Sequence, residues 1–289
     1  DIAQLFSGEI TDWKQLGGNP GKVRLHARDN NSGTWETFSE LVLNPFNATL
    51  HSSAQRYESS TELSAAVSSD PNAIGFIGLP YVLEAKAVAV SAGGAQAMLP
   101  DNALVATEDY PLSRRLYMYL KPNETNALAH KLIRFTQTEA GQKIVEQKGF
   151  ISQNIQAMDV TPDDSMPDEY LKLSQEAKRL SVNFRFQAGS ATLDNKAYQD
   201  VERVLNYLRT HDKTNRKLVL VGFGDSRHDS TAERAELLSK LRAMAVLRQL
   251  HNHEVLLKDM IGLGNVMPVA STQIDGGRVK NQRVELWVY

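Results

Sequence analysis

The stretch "VRLHARDNNSGTWETFSELVL", residues 23–43, packs a strand, a loop and a helix signal into a short span. Val23, Leu25 and Ala27 alternate with polar or charged neighbours, the period of a half-buried strand. "SGTWETFSELVL" then reads as a helix whose start is marked by Ser32 or Thr34. A bound oxyanion needs many hydrogen-bond donors and only a little positive charge. Unsatisfied N–H groups at a helix start supply donors, and the helix dipole favours negative charge there. Gly33 lets the backbone approach closely, Ser32 and Thr34 add hydroxyls, and Arg28 at the strand end offers a two-pronged guanidinium. The same residues also read as a plain helix cap, with Arg28 paired to Asp29 or Glu36 on the surface. Chemistry alone leaves both open.

Outward from this stretch, strand and helix signals alternate over the first half. "DIAQLFSGEI" and "STELSAAVSS" read as helices, "NAIGFIGLPYV" as a short strand and turn, and "RRLYMYLKP" as a strand stopped by Pro122. "NALAHKLIRFTQTEAGQKIVEQKGF" reads as a long amphipathic helix broken near Gly141 and closed at Gly149. This alternation predicts a layered α/β unit with a mainly parallel sheet. "ISQNIQAMDVTPDDSMPDEY", residues 151–170, carries five acidic residues, two prolines and no Lys or Arg, and reads as a linker. A short helix, "LKLSQEAKRL", follows it. The expected division is therefore residues 1–152, an acidic linker with its helix over 153–180, and a second domain over 181–289.

That second domain has a simpler order. "LSVNFRF", "KLVLVGFG", "MIGLGNVMPV" and "NQRVELWVY" read as strands, and "NKAYQDVERVLNYLRTH" and "AERAELLSKLRAMAVLRQLHNH" as helices. The predicted order is β-α-β-α-β-β, an α+β sandwich. Asp225 sits in the glycine-rich turn "VGFGDS", and Arg242 follows Ser239 by three on the next helix. A carboxylate and a guanidinium in one crevice would suit a zwitterionic amino-acid head group. A structural ion pair, or two unrelated surface charges, fits the spacing equally well.

Composition sets further bounds. The chain has 289 residues, 42% hydrophobic and 23% charged, with no cysteine, which removes thiol chemistry, disulfides and cysteine metal sites. No stretch approaches the roughly 20 apolar residues of a membrane span. The basic residues are scattered: sixteen Lys and Arg stand against twelve Asp and Glu after residue 180, and sixteen against twenty-two before it. That pattern argues against nucleic acid as a partner. His251 and His253 lie two apart on a helix and face different ways, so no metal is expected there. No nucleophile–base arrangement, carboxylate dyad or Walker loop is present, so no catalytic residue and no cofactor is expected. The tryptophans Trp13, Trp35 and Trp287 read as core or interface residues.

Two resemblances sharpen this. "LFSGEITDWKQLGG", "VRLHARDNNSGTWETFSELVL", "AVSSDPNAIGFIGLPYV", "YPLSRRLYMYL" and "FTQTEAGQKIVEQKGFI" together resemble the periplasmic phosphate-binding proteins of ABC transporters, of the type II solute-binding fold. The resemblance covers about residues 1–152. It implies phosphate or a similar oxyanion as ligand, Arg28, Ser32, Gly33 and Thr34 as the second lobe's share of the site, and an ABC transporter permease as a further partner. The family often has an aspartate two residues after the arginine; here that position is Asn30, with Asp29 displaced by one. Most of the family's first lobe has no counterpart here, and an additional amino-terminal segment in the intact protein is the expectation.

"VNFRFQAGSATLDNKAYQDVERVLNYL", "LVLVGFGDS", "LLSKLRAMAV", "GLGNVMPVAS" and "GRVKNQRVELWVY" resemble the OmpA-like peptidoglycan-binding domain over about residues 181–289. This implies that Asp225 and Arg242, with Ser239, Asn281 and Arg283 nearby, hold the diaminopimelate of the peptidoglycan stem peptide. Phe223, Gly224 and Ala235 depart from the family's usual residues, which bears on stem-peptide selectivity. Together the resemblances imply a binding protein of the Gram-negative periplasm, associated with peptidoglycan and the outer membrane. The alternative is a peptidoglycan-anchored scaffold whose front module no longer binds phosphate.

Overall fold

A computed structural model describes residues 1–187, 190, 192–224, 231–273 and 275–289. The chain divides into two compact units. The first holds Asp1–Val88, Arg114–Met118 and Val145–Phe150; the second holds Ala89–Ser113, Tyr119–Ile144 and Ile151–Tyr289. Residues 89–113 and 119–144 thus group with the carboxyl-terminal unit, whereas the sequence reading kept them in front of residue 152.

The first unit begins with α1 (Ile2–Ser7), followed by β1 (Arg24–Arg28), α2 (Gly33–Phe38), β2 (Gln55–Tyr57), α3 (Ser60–Ser68) and β3 (Ala73–Gly75). The strands form a sheet in the order β2-β1-β3, and both pairings are parallel. This is the layered α/β arrangement that the alternating signals predict. Phe6, Phe38 and Phe76 close one side of it, with the Phe38 and Phe76 rings stacked at 3.8 Å and Phe6 edge-on to Phe38 at 4.7 Å. The edge-on geometry of Phe6 and Phe38 adds about 0.5–1.5 kcal/mol beyond burial. The helix after β1 is shorter than its pattern: only 33–38 is α-helical, then a π turn covers Ser39–Leu43 and a 3-10 turn covers Asn44–Phe46. Pro45 lies within that last turn, where its lack of an N–H ends regular helix.

Two expectations in the middle of the chain are corrected. The predicted strand at 114–122 is not part of either described sheet, and Leu116, Tyr117, Met118 and Tyr119 are exposed. Alternation marks a segment as able to form a strand, but the partner strand must also be present. The predicted long helix is two: after α4 (Asn102–Ala106) come α5 (Ala127–Thr136) and α6 (Glu139–Gln147), broken at Gln137–Thr138 and not at Gly141. Gly141 is buried inside α6, where a Cβ would lie 2.1 Å from the Phe135 carbonyl oxygen. It permits a close approach to the end of α5 and breaks nothing. Gly149, at φ +81°, closes the segment as expected.

The rest of the second unit contains β4 (Ala157–Met158), α7 (Asp168–Glu176), β5 (Lys178–Arg185), α8 (Asn195–Thr210), β6 (Asn215–Gly222), α9 (Ala232–His251), β7 (Leu256–Gly262), α10 (Asp275–Asn281) and β8 (Arg283–Val288). The five-stranded sheet runs β4-β5-β8-β6-β7; β6 and β7 are parallel and the other pairings antiparallel. From β5 onward the order is the predicted one with a short helix, α10, added before β8. The strand expected over 260–269 stops at Gly262, because the chain turns through positive φ at Gly264 and Met267.

One face of this sheet packs Leu180, Val182, Phe184, Leu220 and Leu286 against Val204, Leu205 and Leu208 of α8 and Val246 and Leu250 of α9. Each such side chain contributes about 1.5–3 kcal/mol on burial. The other face is covered too. Val219, Val221, Phe223 and Trp287 pack against Tyr170 and Leu173 of α7. The stretch read as a linker therefore carries an edge strand, β4, and runs into a docked helix. Its acidic residues put Asp168 and Glu169 in the first turn of α7, where the helix dipole favours them. The single aromatic Tyr170, 2% exposed, goes inward.

Candidate functional site

In the first unit, β1 delivers Arg28 and the following loop delivers Ser32, Gly33 and Thr34. Ser32 has extended backbone and caps α2, its Oγ accepting the Thr34 N–H at 3.2 Å. The other first-turn N–H groups have no acceptor within the helix. Gly33 is exposed, and Ser32 and Thr34 are half-buried. Asp29 organises the approach: its Oδ1 accepts the Asn31 N–H at 2.9 Å and its carbonyl accepts the Ser32 N–H at 3.2 Å.

Arg28 is held tightly. Its Nε donates to the Tyr57 carbonyl (3.2 Å), Nη1 to Ser60 Oγ (2.6 Å), and Nη2 to the Glu58 carbonyl (2.8 Å) and Asp29 Oδ2 (3.4 Å). Four of its five N–H bonds are thus directed to the protein, leaving one on Nη1. Asp29, one position from where the family often has its aspartate, does engage the guanidinium. A second arginine, which the sequence did not single out, lies at the start of α2: Arg114 Nη1 donates to the Gly33 carbonyl (2.7 Å) and to Thr37 Oγ1 (2.9 Å). Its signal was the Arg-Arg pair in "SRRLYMYL", but nothing local ties that pair to residue 33.

In the second unit, Asp225 lies outside the described residues. Arg242 is buried on α9; its Nη1 donates to the Phe223 carbonyl at 3.4 Å, and its guanidinium lies 5.9 Å from the Phe186 ring centre. Ser239 is fully buried, donating to the Glu236 carbonyl (2.6 Å) and accepting the Gly264 N–H (3.1 Å), so it fastens the turn after β7 to α9. Asn281 pins the segment before α10: Oδ1 accepts the N–H groups of Val269 and Ala270 (2.9 and 3.0 Å), and Nδ2 donates to the Ala270 carbonyl (2.9 Å). Arg283 lies flat over the Phe223 ring at 3.8 Å, with Nε on Glu285 Oε1 (3.0 Å) and Nη2 on the Met267 carbonyl (3.2 Å). Phe223 thus links Arg242 and Arg283, through its carbonyl and its ring respectively. A cavity of about 280 Å³ opens beside the starts of α9 and α7, lined in part by Glu169, Glu236 and Asn265.

Sequence reasoning missed a buried charge cluster on the same sheet. Asp109, Arg179, Arg185, Arg283 and Glu285 are all at most 6% exposed. Burial alone would raise the Asp109 carboxyl, but the guanidiniums of Arg179, Arg185 and Arg283 overcome this and hold it far below the usual carboxylate range. Tyr170 is pushed up by burial and by Glu285, so it stays a neutral donor. Among the described residues no group of three or more His, Cys, Asp and Glu could hold a metal ion, and no helix is long and apolar enough to cross a membrane.

Comparison with known proteins gives two successive family matches along the chain. Residues 1–140 match the PBP superfamily domain and residues 185–282 match the OmpA family. The phosphate-binding protein PstS of Borreliella burgdorferi is 28% identical over 157 residues, covering 52% of this chain and 56% of that protein. PstS of Bacillus subtilis is 30% identical over 152 residues, covering 52% and 48%. The chain spans about half the length of these curated relatives. The crystal structure of the peptidoglycan-associated lipoprotein from Burkholderia pseudomallei aligns at 23% identity over 40% of this chain and 92% of that one, with a TM-score of 0.32. The two PstS relatives are phosphate-binding proteins by name. It joins a domain of the PBP superfamily, related to PstS, to a domain of the OmpA family.

Proposed function

We propose that this is a cell-envelope binding protein of the Gram-negative periplasm. Its front module takes phosphate or a similar oxyanion, and its OmpA-like domain holds it non-covalently to peptidoglycan. The observation that carries the first half is the exposed start of α2. Gly33 is open there, Ser32 and Thr34 flank it, and Arg28 ends the strand leading in. Curated relatives of this half are phosphate-binding proteins by name, which supports phosphate as the first ligand to test. In the second half, Asp225 meets the ammonium and Arg242 the carboxylate of diaminopimelate. Ser239 and Asn281 fasten the loops after β7, Arg283 is assigned to the same site as a further contact, and the acidic lining of the cavity beside Glu169 and Glu236 suits a cationic group. No bond is made or broken. Transfer of the anion to an ABC transporter permease belongs to this reading as a property of the intact protein.

The scaffold alternative draws on Arg28 itself, which spends four N–H bonds on its own unit. Titration calorimetry of the intact protein with phosphate and sulfate separates the two. Binding heat that Arg28→Ala removes supports the anion site, and absence of heat with either oxyanion favours the scaffold. For the second half, purified sacculi should pull down the protein and fail with Asp225→Ala. Undiminished capture of that variant refutes the assigned crevice.

A further inference from the structure

The strand alternation of β5 predicts one buried apolar face and one solvated polar face, yet the polar face is buried too. Arg179, Asn183 and Arg185 are 5–6% exposed, and Arg283 and Glu285 of the paired strand β8 are 2% and 0% exposed. Left to themselves, these strands would bury three guanidiniums against one carboxylate. Uncompensated buried charge costs several kcal/mol per ion.

The missing carboxylate comes from far off in the chain. Asp109 lies just after α4, seventy positions before Arg179. Its Oδ2 accepts from Arg179 Nη2 (2.7 Å) and Thr107 Oγ1 (3.0 Å), and its Oδ1 from Arg185 Nη2 and Asn183 Nδ2 (both 2.9 Å). Arg283 Nε stands 4.0 Å away. The loop backbone joins in. The Thr107 carbonyl accepts from Arg185 Nη2 (2.9 Å) and Asn183 Nδ2 (3.0 Å), and the Tyr110 and Pro111 carbonyls accept from Lys280 Nζ (3.4 and 3.1 Å). Glu108, between them, sits at φ +62°, a left-handed conformation that costs a non-glycine residue energy and is held by its surroundings. Even so, Arg283 Nη1 has no hydrogen-bond acceptor among the described residues.

We infer that Arg179, Arg185 and Arg283 form a carboxylate-binding pocket on the face of the OmpA-like sheet that α7 also covers, and that Asp109 is its resident ligand. The ligand is carried in by a segment that matches the other superfamily, within residues 1–140. On this view the OmpA-like fold is not self-sufficient in this chain, since a side chain from the front part completes it. The inference does not depend on what either module binds outside the chain.

The test uses the full chain and a small carboxylate, acetate. Asp109→Ala empties the pocket, and Asp109→Asn fills it with a neutral side chain of equal size. Asp109→Ala is expected to lower the melting temperature by on the order of 10 °C. Acetate should restore part of that loss saturably in Asp109→Ala, while chloride at the same ionic strength should not, and acetate should leave the parent and Asp109→Asn unmoved. If Asp109→Ala is insoluble, recovery on refolding is read against acetate in the same way. Equal response of all three proteins to acetate, no response of Asp109→Ala, or a parent-like melting temperature for Asp109→Ala each overturn the inference.

Discussion

The hydroxyl of Tyr170 donates a 2.9 Å hydrogen bond to Glu285 Oε2, joining α7 to β8, the middle strand of the five-stranded sheet. Glu285 also accepts from Trp287 Nε1 at 3.3 Å and faces Arg179 Nε at 3.3 Å. Tyr170→Phe keeps the ring contacts with Phe223 and Trp287 and removes only this bond. The expected cost is about 1.5–3 kcal/mol, as for a buried bond to a charged group. Urea denaturation measures it, and a change below about 0.5 kcal/mol would show that α7 is not docked as described.

Acid should weaken the second unit through Asp109. Its carboxyl lies well below its unfolded value near 3.9, so the native state holds the proton less tightly than the unfolded chain does. The stabilisation is fully present above that unfolded value and is lost as pH falls toward the folded one. A contribution on the order of 3 kcal/mol should disappear across this window. Melting temperatures from pH 7 to pH 2 read it, and Asp109→Asn should flatten the slope. An unchanged slope in that variant contradicts the assignment.

Lys280 acts in the alkaline range. Burial pushes its ammonium down to about 8, with Arg185 adding to the effect and Asp109 and Glu108 opposing it. The folded value is below the unfolded one near 10.4, so stability rises with pH between the two. The gain should be on the order of 2 kcal/mol between pH 8 and 10. Lys280→Met should abolish the rise; a variant that keeps it places the titrating group elsewhere.

Gly222 ends β6 against α9, where a Cβ would fall 2.1 Å from the Ser239 carbonyl oxygen. Backbone on both sides leaves no flexible group to move aside. Gly222→Ala should therefore destabilise by about 3 kcal/mol or more. By contrast, a Cβ on Gly33 meets only the tip of Arg114, at 3.1 Å. Gly33→Ala should cost less than about 1 kcal/mol in stability while weakening any oxyanion bound at the start of α2. Thermal melts of the two variants side by side test the contrast, which fails if Gly33→Ala is the more damaging.

Much of the fold was legible because its signals are local. β1, α3, α8 and α9 follow period and capping, as with Ser59 accepting the Glu62 N–H and Asp194 that of Ala197. Arg28, Ser32, Gly33 and Thr34 were readable as a strand–loop–helix for the same reason. What escaped notice depends on residues far apart. Arg179 was read as the end of a short helix and Arg185 as part of a strand, and nothing near either announces Asp109. The acidic stretch looked like a linker because charge density outweighed one inward tyrosine. The segment 114–122 has a strand's alternation without a described strand to join it. Arg114 reaches Gly33 across 81 positions, a pairing that no window along the chain detects.

The order β4-β5-β8-β6-β7 also has a meaning in time. β8 comes after β5, β6 and β7 along the chain, yet it stands third in the sheet and bonds to both β5 and β6. Until it arrives, β5 and β6 each present an open edge, and the hydrophobic layers of α8 and α9 have no continuous floor. Synthesis delivers β5 and β6 before β8, so the sheet cannot close until the later strand enters between them. A chain stopped short of Arg283 would lose more than β8. It would leave two exposed edges able to pair with one another's copies.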